Sequence, residues 1–184
     1  MKYEQARELI ENGDCVGVKT RSVGGWFVRL GQHIAGLKWA EYGHTGVALW
    51  ADVAGEQRLL LGEMNQGGGT YRPLSQYTND GCKVAVFSPP KDAQIADVGY
   101  TIRTTLDRHT PYGWLDLIPL GMQLVLRRFI GPHSLGKDSG KDRVCSYLTK
   151  RFYNSLGAKL EGVPHRPAPA EVLDVLKLKF EIEV

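Results

Sequence analysis

No two cysteines in this 184-residue chain stand at a spacing that builds a metal site or a disulfide framework. There are three, Cys15, Cys82 and Cys145, with no CxxC and no Cys/His ligand spacing. That excludes a zinc module, and neither a metal nor any other cofactor is expected. An odd count at unrelated positions fits a reducing compartment better than a stapled secreted domain. Basic runs are missing too. Lys and Arg never occur more than two together, and the formal charge is only +3, so a nucleic-acid surface is not expected. The longest apolar stretch, "LIPLGMQLVLRRFIG" (117–131), is broken by Pro119, Gly121 and two arginines, which argues against a transmembrane span. The opening "MKYEQARELIENGD" is polar and has no apolar signal core, so synthesis in the cytoplasm is expected. An external target would then be reached by lysis or by carriage on a virus particle.

What is present is an ordinary globular composition, 42% hydrophobic and 23% charged, long enough for one sizeable core. A single domain over 1–184 is the expectation. Residues 3–11 pattern as a short helix, and "CVGVKT" as a strand. "GGWFVRLGQHIAG" sets Trp26, Phe27, Leu30 and Ile34 at helical spacing. "HTGVALWAD" and "QRLLLGEMN" read as a hairpin turning near Gly55, and "CKVAVFSPP" as a further strand. Ile95, Val98, Ile102 and Leu106 mark a helix over about 92–107, and residues 115–130 an apolar helical segment. The glycine-rich loop 131–142 has the composition of a lid. A helix follows with Val144, Leu148 and Phe152 on one face and Gly157 at its C-terminal end, then a Pro-started helix and the strand "FEIEV". Helices, a cluster of antiparallel strands, then helices again make the class α+β.

Cys145 falls at the first turn of its helix, where unpaired backbone N–H groups favour the thiolate. A nucleophilic thiol needs a base. Of five histidines, His33, His109, His133 and His165 read as surface or loop residues. His44 begins a strand and shares a face with the small Gly46 and Ala48, leaving room for a helix carrying Cys145 onto that face. Folding the hairpin back at Gly55 brings Glu63 and Asn65 opposite or diagonal to His44, and either can orient the imidazole. Cys15 and Cys82 read as packed thiols.

These residues occur within an ordered set of motifs. "GDCV" (13–16), "YGHTGVAL" (42–49), "GEMNQGGGTYRPLSQY" (62–77), "CSYLTKRFY" (145–153) and "PAEVLDVLKLKFEI" (169–182) follow one another along nearly the whole chain. The chain thereby resembles the circularly permuted branch of the papain-like, NlpC-type cysteine hydrolases, in which the His-bearing hairpin precedes the Cys-bearing helix. It departs from that pattern at Tyr147, where relatives more often carry an acid, and in the long 115–142 segment. The resemblance implies a permuted papain-like fold, an antiparallel sheet or partial barrel with the Cys145 helix packed against it. It implies Cys145 as nucleophile, His44 as general base and Glu63 as the group orienting His44, with acyl transfer through a thioester. The Cys145 backbone N–H would serve an oxyanion hole, and Tyr112 or Tyr42 offers a second donor. The expected substrate is a peptide, amide or acyl ester. A lipid acyltransferase or thioesterase on the same fold, and a non-catalytic binding module, are the competing readings.

Overall fold

A computed structural model describes residues 1–65, 68–95, 98–106, 122, 124–126, 144–165 and 167–183. Its centre is a six-stranded, wholly antiparallel sheet. In chain order the strands are β1 (Cys15–Lys19), β2 (His44–Val53), β3 (Glu56–Asn65), β4 (Gly68–Pro73), β5 (Lys83–Ser88) and β6 (Lys177–Ile182). Their order across the sheet is β4-β3-β2-β1-β5-β6. The expected partial barrel is not formed: β4 and β6 are the two edges of an open sheet. The helices are α1 (Tyr3–Ala6), α2 (Val23–Ile34), α3 (Leu74–Asn79), α4 (Val98–Thr105), α5 (Cys145–Ser155) and α6 (Pro169–Asp174). The class is α+β.

The expected helix over 3–11 is only α1 followed by a 3-10 turn at Arg7–Leu9. Its partial stripe buries just Ala6 and Ile10, too little for a longer helix to hold. α3 lies in "PLSQYTN", whose two apolar residues, Leu74 and Tyr77, are too few to mark a helical period. The 115–130 segment, apart from a few residues, and the 131–142 loop lie outside the described residues.

Strand alternation divides the interior into two clusters. Cys15, Val47, Met64, Ala85 and Phe87 pack with Ile102 of α4 and with Cys145, Leu148, Phe152 and Tyr153 of α5. On the other side Val16, Val18, Ala48, Leu61, Val84 and Val86 pack with Ala6, Leu74 and Tyr77. The hairpin that carries the site closes as the pattern requires, with Val53 opposite Glu56 and positive φ at both Ala54 and Gly55. That two-residue turn matches the twist of the strands and sets the register Gly46↔Glu63.

The small size of Gly46 serves Leu61, not α5. A Cβ at Gly46 would lie 2.7 Å from Leu61 Cγ and 2.9 Å from the Gly62 carbonyl oxygen. Gly46→Ala is therefore expected to cost about 1–3 kcal/mol of stability, read by chemical denaturation. An unchanged midpoint would show that β2 and β3 can spread at this point.

Candidate active site

The first residue of β2 and the first residue of α5 meet at one end of the sheet. α5 packs on the face of Thr45 and Val47, opposite the one expected from Gly46 and Ala48. Its first turn is tied to the strand by Thr149, whose hydroxyl lies 3.1 Å from Thr45 Oγ1 and 3.1 Å from the Cys145 carbonyl oxygen. Ser146 Oγ donates to the Pro167 carbonyl at 2.6 Å. His44 and Glu63 belong by alternation to the other face, so the group straddles the end of the sheet. His44 can reach the thiol because it is a strand terminus with no residue of its own strand beyond it.

His44 Nε2 lies 2.8 Å from Glu63 Oε2. Glu63 pairs across the hairpin with Gly46, two residues along from His44, and is the diagonal neighbour. With Nε2 engaged by Glu63, Nδ1 is the ring nitrogen left for the hydrogen bond between His44 and Cys145. Of the two acids and amides considered as orienting groups, Glu63 is the one bonded to the imidazole. Asn65 lies further along β3 and lines the adjoining cavity.

All three side chains are buried, Cys145 at 2%, His44 at 8% and Glu63 at 0% relative exposure. Burial alone would push the thiol up. The neighbouring imidazole charge, its hydrogen bond and the backbone N–H groups of Thr45 and Ser146 outweigh it and hold Cys145 below the ordinary thiol range. Burial would likewise drive His44 to its neutral form, but Cys145 and Glu63 on either side raise it above an ordinary imidazole. The Glu63 carboxyl, though fully buried, is held below its usual value by His44, Tyr77 and Arg72. Both shifts favour the thiolate–imidazolium form of the pair, backed by a carboxylate. Cys15 is an internal contrast. It is buried in the same cluster, and desolvation raises its thiol far above the ordinary range.

Two supporting residues were not singled out from the sequence. Tyr77 on α3 donates to Glu63 Oε2 at 2.6 Å, and Arg72 Nε on β4 lies 3.5 Å from Glu63 Oε1 and stacks over the Tyr77 ring. The signal for them was Glu63 itself. A carboxylate in an apolar strand needs more than one partner if it is to be buried.

Tyr42 is not part of the group. Its hydroxyl donates to Glu181 on β6, and burial together with that carboxylate raises it. A tyrosine already committed to a carboxylate at the far edge of the sheet is not placed to serve an oxyanion beside Cys145. Tyr112 lies outside the described residues. The Cys145 N–H, in the first helical turn, has no acceptor within α5.

A cavity of about 710 Å³ opens beside His44. Its wall is apolar along Val23, Phe27 and Val28 of α2 and at Met64, and charged at Arg21, Arg72 and Asp80. A larger cleft of about 1140 Å³, against Leu49, Tyr100 and Arg103, is lined by none of the three grouped residues, whereas His44 lines the smaller one. Among the described residues no group of three or more His, Cys, Asp or Glu is arranged to hold a metal ion, and no helix is long and apolar enough to cross a membrane.

No family model matches the chain, and no curated protein does. Among solved structures it is similar to the metalloprotein yiiX of Escherichia coli O157:H7, a DUF1105 protein. The TM-score is 0.54 at 19% identity, over 82% of this chain and 69% of that one. At that identity the likeness is one of fold alone.

Proposed function

We propose that the chain is a cysteine-dependent hydrolase of the permuted papain-like, NlpC type, acting on amide or acyl-ester bonds through Cys145. The observation that carries this reading is the convergence of Cys145, His44 and Glu63 in one buried site, with His44 Nε2 2.8 Å from Glu63 Oε2 and Cys145 interacting with the ring. Nucleophile, base and orienting acid are in contact, the arrangement that activates a weak nucleophile.

The chemistry follows from the ionisation. The Cys145 thiolate adds to the substrate carbonyl carbon, and the carbonyl π electrons move onto oxygen. The Cys145 N–H at the start of α5 is the donor for that oxyanion. Collapse expels the amine or alcohol, which takes its proton from the His44 imidazolium, and leaves a thioester. Water then attacks the thioester, giving a proton to His44. The acid departs and the thiolate is restored. Glu63 keeps the imidazole in the tautomer and orientation that both halves require. An acyltransferase would share the thioester and differ only in the acceptor.

The test is to trap that thioester. The chain is mixed with an activated p-nitrophenyl acyl ester and with a panel of acyl amides, quenched in acid, and its intact mass read. The expected result is one added acyl group, mapped to Cys145, absent in Cys145→Ala and lost on hydroxylamine treatment. A folded parent protein that takes no acyl group from any of them would favour the binding module.

A further inference from the structure

α2 is mounted with its apolar side outward. Its buried residues are Gly25, Val28, Gly31 and Gln32. Val23, Trp26, Phe27, Leu30 and Ile34 are exposed by 41–74%. The four residues spaced at helical period in the sequence face out. They and Val23 make up five of the eleven large hydrophobic residues exposed among those described, so the patch is concentrated on one element.

The orientation is fixed by polar contacts rather than left to weak packing. Gln32 Nε2 donates to the carbonyls of Ala40 and Tyr42, each at 3.0 Å, and Gln32 Oε1 accepts from the Ala170 N–H at 2.9 Å. Near the other end, Gly25 approaches Gly43 so closely that a Cβ at Gly43 would lie 2.8 Å from the Gly25 carbonyl oxygen. Rolling the helix to bury Trp26 would break three buried hydrogen bonds and drive side chains into that contact.

The charge carried by α2 and the residues flanking it in sequence is basic, although exposed Asp80 shares the cavity lining with Val23 and Phe27, and Glu41 pairs with Lys19. From Cys15 to Ala40 there is no Asp or Glu, while Lys19, Arg21, Arg29, His33 and Lys38 all fall in that stretch. Arg21, His33 and Lys38 are exposed. An outward face of Trp, Phe, Leu and Ile flanked by Arg21, Arg29 and Lys38 on its own segment suits the boundary between the headgroups and acyl chains of an anionic bilayer. The patch is also continuous with the cavity beside His44, because Val23 and Phe27 belong to both.

We infer that α2 docks this protein on anionic lipid surfaces, lying in the interfacial plane and turning the mouth of the His44 cavity toward the bilayer. This does not depend on the chemistry at Cys145. It is tested in the full chain and in Cys145→Ala, so that loss of one property leaves the other readable. The probe is co-sedimentation with 100-nm vesicles of pure phosphatidylcholine or of phosphatidylcholine with phosphatidylglycerol. Trp26→Ala/Leu30→Ala is the comparison, since neither residue lines the cavity.

The expected result is partition onto the phosphatidylglycerol vesicles, at least tenfold weaker on pure phosphatidylcholine, reversed by high salt and at least tenfold weaker in the double variant. Each basic residue brought to the surface contributes about a fivefold gain. Equal binding of parent and variant, or none by either, overturns the inference. So does a parent dimer that the double substitution splits, which would make a second copy the occupant. A double variant melting well below the parent would also overturn it, because the face would then be covered by the protein's own chain.

Discussion

Alkylation of Cys145 by iodoacetamide is expected to reach its half-maximal rate several pH units lower in the parent protein than in His44→Ala. A free thiol titrates near pKa ~8.5, and a histidine-paired one can fall to ~3–4. The informative quantity is the midpoint and not the rate at one pH. At pH 6 an unshifted thiol is only about 0.3% thiolate, so a paired thiol has roughly 300 times more of the reactive form. A thiolate of lower pKa is also a poorer nucleophile, with a Brønsted slope of ~0.4–0.5, and a drop of four to five units removes about a hundredfold. The two effects nearly cancel in the rate. Access to a residue 2% exposed changes the plateau and leaves the midpoint in place. Cys15 serves as the control within the same molecule: buried beside Tyr153 and raised, it should stay unlabelled over the range where Cys145 reacts. If parent and His44→Ala share a midpoint near or above 8.5, Cys145 is a packed thiol and the enzyme reading fails.

The signs of the shifts also set the shape of an activity profile on the proposed chemistry. Cys145 is lowered and His44 raised, so the ion pair forms as pH rises through the thiol's folded value and is lost as pH rises further through that of the imidazole. Both limbs of the resulting bell belong to the pair and not to one residue. On that chemistry the shifts favour proton transfer from thiol to imidazole before substrate arrives. His44 then enters the first half of the reaction as an acid.

The partnership of His44 with Glu63 was legible because a hairpin carries its own ruler. Period-2 alternation and a turn at Gly55 leave few registers, and in each of them Glu63 or Asn65 comes near the start of β2. The start of α5 at Cys145 was legible from the stripe of Leu148 and Phe152. Which side of the sheet α5 would cover was not. Alternation says that Thr45 and Gly46 point to opposite faces, but both faces of this central strand are buried, so hydrophobicity does not say which one receives a given helix. The facing of α2 was not legible for a related reason. A stripe of Trp26, Phe27, Leu30 and Ile34 states that a helix has an apolar face, whereas three hydrogen bonds to Gln32, made by groups 8, 10 and 138 residues away, decide which way it turns. Tyr77 and Arg72 were missed because their role is defined by Glu63 and not by any spacing of their own.

Glu63→Ala should be the most destabilising substitution in the site, and Glu63→Gln should separate charge from geometry. Removing the carboxylate leaves a buried imidazolium with the thiolate as its sole counter-charge, and leaves Tyr77 and Arg72 without the group they point at. Breaking a buried pair from one side costs about 3–5 kcal/mol. A glutamine can place its carbonyl oxygen where Oε2 accepts from both His44 and Tyr77, and so keeps the orientation of the ring. Its amide then takes the Oε1 position and turns N–H groups toward the Arg72 guanidinium, donor against donor. Glu63→Gln is therefore expected to lose less stability than Glu63→Ala, to retain the histidine's orientation, and to raise the Cys145 alkylation midpoint part of the way toward that of His44→Ala. The pH dependence of stability gives an independent reading. Because the folded-state pKa of Glu63 lies below its unfolded value, its contribution is present above about pH 4.3 and is lost as pH falls through the folded value. The gap in unfolding free energy between parent and Glu63→Gln should accordingly be full at pH 6 and shrink as the solution is acidified below pH ~4. A gap of constant size down to pH 3 would mean that Glu63 acts through shape and hydrogen bonding alone, and that the imidazolium is held by the thiolate without it.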